Sequence, residues 1–375
     1  MKFEAEITME QTKNPLKIIL ELTRSQWDQP GVRKVVRDTF RKALMCRILA
    51  LGAEVYVSPA KEKVFCHTCK GKGCPSCGNR GTLDWQRQQD AVLPDIPFVG
   101  FVLIRPQQFR SVFKTFRNFQ HDLPALGAAA IKQWAWTQHQ VRLHVIVILH
   151  TFGGALNYHP HLHIMVSAGG LKPFEARWLP SLSYDKSQIR DLWQFAGTSH
   201  LWKSHREGLF GESSFSVGFD KTIFDSLPRK WHVWMSPVMS KKHFLGYAGR
   251  YIRRPPIAQK RIISVSKDEV LFPGKEAETG EMYEIRWTLA KFVARWSQHI
   301  FDHYKHSMRY YGLLSPRTKK LTAASVFTLL GQTQSPRPHR ERWADLQERS
   351  FGVNPLIDEL GNPFHWAGRR KPRRN

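Results

Sequence analysis

Residues 159–166, His-Pro-His-Leu-His-Ile-Met-Val, set three histidines at alternate positions ahead of an apolar tail. Side chains alternate faces in a strand, so His161 and His163 share one face while Leu162 and Ile164 take the opposite, core-facing one. Cα atoms two apart in a strand are about 6.6 Å apart, close enough for two imidazoles to reach one ion at roughly 2.1 Å. His159 is twice as far from His163, and Pro160 beside it suits the start of a strand. The segment predicts a half-buried strand that carries a metal. The plain alternative is a pair of hydrogen-bonded core histidines.

The charge balance asks for a polyanionic partner. Lys and Arg number 57 against 31 Asp and Glu, a net charge of +26 spread along 375 residues. Nucleic acid and an anionic membrane both satisfy it, but no run approaches the ~18 apolar residues of a membrane span. Met1 to Glu6 does not read as a signal peptide either, so the expectation is a cytoplasmic, nucleoid-associated protein on DNA with no membrane role. The length suits two or three domains with a full apolar core.

Four of the five cysteines crowd into residues 66–77 as tandem Cys-x-x-Cys knuckles, each followed by glycines. In a reducing compartment this spacing indicates metal and not disulfides. Four thiolates from Cys66, Cys69, Cys74 and Cys77 close a tetrahedral site with no open position, which makes the Zn²⁺ structural. Cys46 reads as a buried core residue, and His67 as a bystander.

Residues 30–50 read as an amphipathic helix with a basic face that suits DNA backbone or solvent. Residues 97–104 and 144–150 read as buried strands, with an Ala- and Trp-rich helix over 125–138 between them. A short loop with Gly153 and Gly154 then leads into the histidine strand, so the two strands pair antiparallel and His150 comes close to His161 as a candidate third ligand. Ser240 caps a helix that runs to residue 254. On it Phe244, Tyr247, Ala248 and Tyr251 form one stripe. Such a stripe is ordinarily core, but Lys241, Lys242, Arg250, Arg253 and Arg254 surround the tyrosines with cations suited to phosphates, and Gly246 and Gly249 allow close approach of a ligand. Residues 174–224 carry no legible chemistry. The Pro- and Arg-rich last sixty residues read as a mobile tail that binds nucleic acid without sequence preference.

A divalent metal on a histidine strand, tyrosines on a basic helix and a nucleic-acid charge together suggest metal-assisted attack of a tyrosine on a phosphodiester. The product is a 5′-phosphotyrosyl strand and a free 3′-OH, and the step reverses without ATP. No Gly-x-x-x-x-Gly-Lys-Ser/Thr loop is present, so the chain carries no helicase of its own.

The order of a Cys-x-x-Cys module, Leu149-His150-Thr151-Phe152-Gly153, His159-Pro160-His161-Leu162-His163, Tyr247-x-x-Arg250-Tyr251 and Arg309-Tyr310-Tyr311-Gly312-Leu313-Leu314 resembles the HUH transposases of the insertion sequence ninety-one family over residues 15–315. The resemblance implies an α+β protein in which a small helical and zinc-knuckle domain precedes a ferredoxin-like HUH nuclease domain with a central antiparallel sheet. It also implies rolling-circle transposition through single-stranded DNA with Mg²⁺ or Mn²⁺, Tyr247 and Tyr251 as paired nucleophiles and His161 and His163 as metal ligands. The expected divisions are 1–58 (helical DNA-binding region), 59–92 (zinc module), 93–315 (nuclease) and 316–375 (basic tail). Imidazole ligands alone favour Zn²⁺ or Mn²⁺ while Mg²⁺ prefers oxygen, and with His150 as third ligand Mn²⁺ is expected to outperform Mg²⁺. A replication initiator or relaxase shares this chemistry, and a zinc-dependent DNA-binding protein without catalysis is the competing class.

Overall fold

The computed structural model describes residues 14–71, 73–74, 77–227, 231–252, 255–275 and 279–372. The fold is α+β with antiparallel sheets, as expected. Near the N-terminus β1 (Ala53–Val57) pairs with β2 (Glu62–Cys66). The central sheet is built from β3 (Phe98–Ile104), β4 (His144–Phe152), β5 (Tyr158–Ser167), β8 (His232–Met235) and β12 (Met308–Gly312), in the order β12-β4-β5-β3-β8. Its middle strands are almost wholly buried because helices cover both faces. A small hairpin of β6 (Gly170–Lys172) and β7 (Arg177–Leu179) and a separate sheet of β9 (Ser264–Val265), β10 (Glu269–Lys275) and β11 (Met282–Thr288) complete the strands up to β12.

Alternation along the central strands sorts the two faces. Val145, Val147 and Leu149 of β4 and Leu162, Ile164 and Val166 of β5 point to one core, closed by the helices Leu123–His139 and Lys186–Arg206. The stretch 174–224, without chemistry in sequence, is thus mainly a cover for this face. Ile146, Ile148 and Met165 point the other way, toward Phe244, Leu245 and Ala248 of the helix Lys241–Ile252 and Trp85 of the helix Gly78–Val92. His150, His161 and His163 belong to this second face by the same alternation.

A further core joins the N-terminal helices Pro15–Leu22 and Lys34–Leu44 to the β9–β11 sheet and the helix Leu289–Gln298, with Phe40 between Trp27 and Trp296 at centroid separations of 5.4 and 4.8 Å. Asp302, just past that last helix, ties the pieces together. It pairs with Arg33 at 2.5 Å, Arg117 at 3.5 Å and His121 at 3.3 Å.

Several elements differ from expectation. The helix within residues 30–50 is only Lys34–Leu44, so Cys46 lies in the turn beyond it. The C-terminal segment is structured: it contains the helices Pro316–Leu329 and Trp343–Phe351, and β13 (His365–Arg370) adds antiparallel to β1. Its last strand is held by the backbone ladder to β1, and Arg369 and Arg370 meet Glu54 and Glu62 at 2.8 and 2.6 Å, so part of its basic charge is answered within the chain. A division at 58/59 falls inside the β1–β2 hairpin.

Gly127 sits where its helix crosses the central sheet most closely. A Cβ there would lie 2.4 Å from Leu162 Cδ1 and 3.0 Å from Ile164 Cδ1. Gly127→Ala should therefore destabilise the protein by about 1–3 kcal/mol through overpacking, read as a lower urea midpoint. An unchanged midpoint would show that the sheet and helix part at no cost.

Candidate metal centre and tyrosine helix

Antiparallel pairing places His150 of β4 directly opposite His161 of β5, and Ile148 opposite His163. The Nε2 atoms of His161 and His163 stand 3.1 Å apart. With His150 they form a trio whose ring nitrogens lie within 4.8 Å of one another. Two nitrogens bound at about 2.1 Å to one ion are about 3.0 Å apart at a right angle and about 3.4 Å at the tetrahedral angle, so the observed spacing fits a shared ion. His161 Nδ1 donates to the His159 carbonyl at 2.7 Å, which fixes the tautomer that turns an Nε2 lone pair toward His163. His150 Nε2 donates to the Tyr251 carbonyl at 2.7 Å, so in this arrangement ligation by His150 runs through Nδ1. His159 stays outside the trio. Burial, then the neighbouring His161, push its imidazole down to about 3 and hold it neutral.

The tyrosine stripe is half core and half site. Phe244 and Ala248 are fully buried, and Phe244 stacks on Phe98 with centroids 4.1 Å apart. Tyr251 lies flat against His163, centroids 3.8 Å apart at 24°. Tyr247, one turn earlier, is 5.0 Å from the Tyr251 ring and passes over Gly100, where a Cβ would come 3.5 Å from Tyr247 Cε1. Burial, then Tyr251, push the Tyr247 phenol well above its ordinary range, and Arg250, 5.1 Å from its ring centroid, opposes them.

The proposed DNA-facing cations divide. Arg250 and Lys242 are exposed. Lys241 is instead engaged with the Asp90 carboxylate at 3.1 Å and with the Asp90 carbonyl at 3.0 Å, where it closes the end of the helix Gly78–Val92. Arg253 and Arg254 lie outside the described residues. Gly249 serves helix packing: a Cβ there would lie 2.4 Å from Gln86 Nε2, and that amide donates to the Leu245 carbonyl at 2.9 Å.

The cysteine set requires a correction. The cluster is Cys46, Cys69, Cys74 and Cys77, with sulfurs within 4.8 Å of one another, and Cys66 is not part of it. Cys66 ends β2 opposite Ala53, so the strand sets its direction, while Cys46 comes in from the turn after the helix Lys34–Leu44 to within 3.4 Å of Cys77 Sγ. Hydrogen bonding from Cys69 lowers the Cys46 thiol to about 7. Four converging thiols in this spacing suit one tetrahedral zinc and nothing catalytic. His67 bonds Glu54 at 3.0 Å and the Leu51 carbonyl at 3.1 Å, away from the thiols.

His299 is the site-supporting residue absent from the motifs. Its Nε2 donates to the Leu156 carbonyl and its Nδ1 accepts from the Thr151 hydroxyl, both at 3.2 Å. It thereby pins the β4–β5 connection, where Leu156 is held in a left-handed conformation at φ 53°. Only the contact map reveals this role, because nothing in the sequence around a lone histidine marks it.

Comparisons with known proteins match two parts of the chain. Residues 18–103 match the family model described as "Transposase zinc-binding domain", and residues 145–321 match the one described as "Putative transposase". Both matches are to transposase domains and are consistent with a transposase of the insertion sequence ninety-one family. It is 27% identical over 341 residues to "Transposase for insertion sequence element IS801" of Pseudomonas savastanoi pv. phaseolicola, covering 88% of this chain and 82% of that one. It is 24% identical over 351 residues to "Putative transposase y4qJ" of Sinorhizobium fredii (strain NBRC 101917 / NGR234), covering 84% and 85%. No solved structure matches the chain. Among the described residues no helix is long and apolar enough to cross a membrane.

Two outcomes are expected. Cys46→Ser should abolish stoichiometric zinc and loosen the fold, whereas Cys66→Ser should retain both, as read by metal analysis of purified protein; the reverse result would restore the tandem-knuckle set. His299 is held neutral, burial lowering it to about 4. Its folded value lies below the unfolded value of about 6.5, so the stability it supports is complete above that pH and is lost as pH falls toward 4. Urea unfolding from pH 7 to 4 should lose on the order of 1–3 kcal/mol through this group, and His299→Gln should flatten that slope.

Proposed function

We propose that the chain nicks and rejoins single-stranded DNA at the ends of its element through a 5′-phosphotyrosine, on a ferredoxin-like HUH core. The observation that carries this reading is the stacking of Tyr251 on His163 where His161 and His163 turn their Nε2 atoms to one point. On this reading the stacking would keep a nucleophile's ring beside the pair of imidazoles that binds the ion. Phosphoryl transfer needs little from a protein beyond position and charge. His161, His163 and His150 are the ligands for Mg²⁺ or, better matched to imidazole, Mn²⁺. A divalent ion there supplies charge neutralisation at the scissile phosphate.

The residues of the chain do the rest. A phenol oxygen of Tyr247 or Tyr251 attacks phosphorus, and the bond from phosphorus to the 3′ oxygen breaks. The phenol gives up a proton and the departing 3′ oxygen gains one. The phosphate stays on the tyrosine as a diester to the 5′ strand, and attack by a 3′-OH reverses the step and frees the tyrosine. Arg250 favours the phenolate of Tyr247, whose burial otherwise holds it protonated. Two tyrosines one helical turn apart allow a second strand to be held while the first is still attached. Cys46, Cys69, Cys74 and Cys77 hold the structural zinc.

The test incubates the full chain with single-stranded DNA from its element's ends, with or without Mn²⁺, and reads covalent protein on the 5′ end on a denaturing gel. The wild type should give a metal-dependent adduct. Tyr247→Phe combined with Tyr251→Phe should give none, and His161→Ala or His163→Ala should slow adduct formation on the order of 10²–10³-fold. DNA retarded but uncut under every condition would replace this reading with that of a DNA-binding protein.

A further inference from the structure

Between the four-cysteine cluster and the histidine trio lies a cleft of about 400 Å³. His150 and Phe152 line it together with Cys69 and Cys74, and its walls carry Lys42, Lys70 and Lys305. The two acidic side chains in it are already paired. Asp38 meets Lys34 at 2.7 Å and His303 at 3.3 Å, and Asp302 meets Arg33, Arg117 and His121. The cleft is therefore cationic, and its lining includes residues of both the cysteine cluster and the histidine trio.

At its mouth is Tyr304, 97% exposed and at φ 62°. A side-chain-bearing residue in the left-handed region is strained, and a tyrosine left in water recovers nothing by packing. The loop is tied to the core at Asp302. Lys305 N donates to the Asp302 carbonyl at 3.2 Å, and the Asp302 side chain is the same ion-pair hub that ties the N-terminal helices to the core. The ring is thus presented to solvent from a turn anchored at Asp302, flanked by His303 and Lys305. An exposed aromatic beside lysines along a groove is what an unpaired base and its phosphates recognise.

We propose that Tyr304 is a base-stacking platform for single-stranded DNA that runs along this cleft from the zinc module to the histidine trio. The proposal rests on the nuclease reading for the direction of the strand, but its binding test is separate from cleavage.

The experiment uses the full zinc-loaded chain carrying Tyr247→Phe and Tyr251→Phe, so that DNA stays intact, and measures binding of a labelled single-stranded oligonucleotide by anisotropy. A single abasic nucleotide is moved along the oligonucleotide in successive measurements. Tyr304→Ala and Tyr304→Gly should weaken binding about five- to a hundredfold, the scale of one base–aromatic stack, while Tyr304→Phe and Tyr304→Trp stay within about twofold. One abasic position should weaken binding to the parent and have little further effect on Tyr304→Ala. Tyr304→Gly should also unfold at an equal or higher temperature, because glycine accepts the left-handed backbone, which separates lost stacking from lost structure. Parent-like binding by Tyr304→Ala, an abasic effect independent of position, or an equal loss on intact duplex would overturn the proposal. Failure of the nuclease reading shows differently, as absence of the covalent adduct from the unmodified chain.

Discussion

The register of β4 against β5 is the constraint from which the rest of the site follows. Because side chains alternate, a slip of one residue would turn His161 and His163 into the apolar core and bring Leu162 out beneath the tyrosines. Two features hold the register. Both strands are buried on both faces, so every slip exposes apolar surface, and their connection is closed by specific bonds. Gly153 N donates to the Asn157 carbonyl at 3.1 Å, and a Cβ on Gly153 would strike the Asn157 side chain at 2.3 Å. His299 then fixes Leu156 and Thr151 from the far side. The geometry of the histidine trio is thus a property of a hairpin, and the hairpin is secured by residues outside the trio.

The zinc cluster reaches the same site by a mechanical route. Cys77 is the N-cap of the helix Gly78–Val92, so fixing its sulfur fixes where that helix begins. Gln86 on that helix bonds the Leu245 carbonyl, and Gly249 lets the tyrosine helix approach it closely. Lys241 of the tyrosine helix closes the far end. Trp85 Nε1 also donates to the Tyr310 hydroxyl at 2.7 Å on the edge strand β12. A domain that looks separable in sequence is therefore the buttress of the helix that carries Tyr247 and Tyr251. Loss of its metal should disturb the tyrosines without any direct contact between the two centres.

Periodicity made the central strands, the hairpin and the tyrosine helix legible, since each is a pattern of period two or near four written in local residues. The opposition of His150 and His161 was legible for the same reason: a short glycine-bearing loop leaves few ways to pair two strands. Cys46 was not. It lies 23 residues before Cys69, and only the placement of the turn after the helix Lys34–Leu44 brings it to the sulfurs, while Cys66 has the right spacing but belongs to a strand. The C-terminal segment misled because its composition suits a solvated tail. Its pairing partner, β1, is some 310 residues away, and no local signal reports a contact so distant.

The same distance effect alters the meaning of the net charge. A total of +26 suggests a surface covered in DNA-facing cations, yet much of the arginine is structural. Arg33 donates to the Ser297 and Ile300 carbonyls, and Arg117 to those of Gln298 and Ile300. Arg105 lies buried with its guanidinium 3.7 Å from the Phe113 ring centroid, burial lowering it to about 9. Counting charge thus identifies a polyanionic partner without locating it. What locates the partner is where cations remain exposed beside groups with chemistry to offer: Arg250 and Lys242 on the tyrosine helix, and Lys42, Lys70 and Lys305 along the cleft. Lys42, Lys70 and Lys305 line one cleft together with His150, Cys69 and Cys74, so exposed positive charge accompanies residues of both the cysteine cluster and the histidine trio.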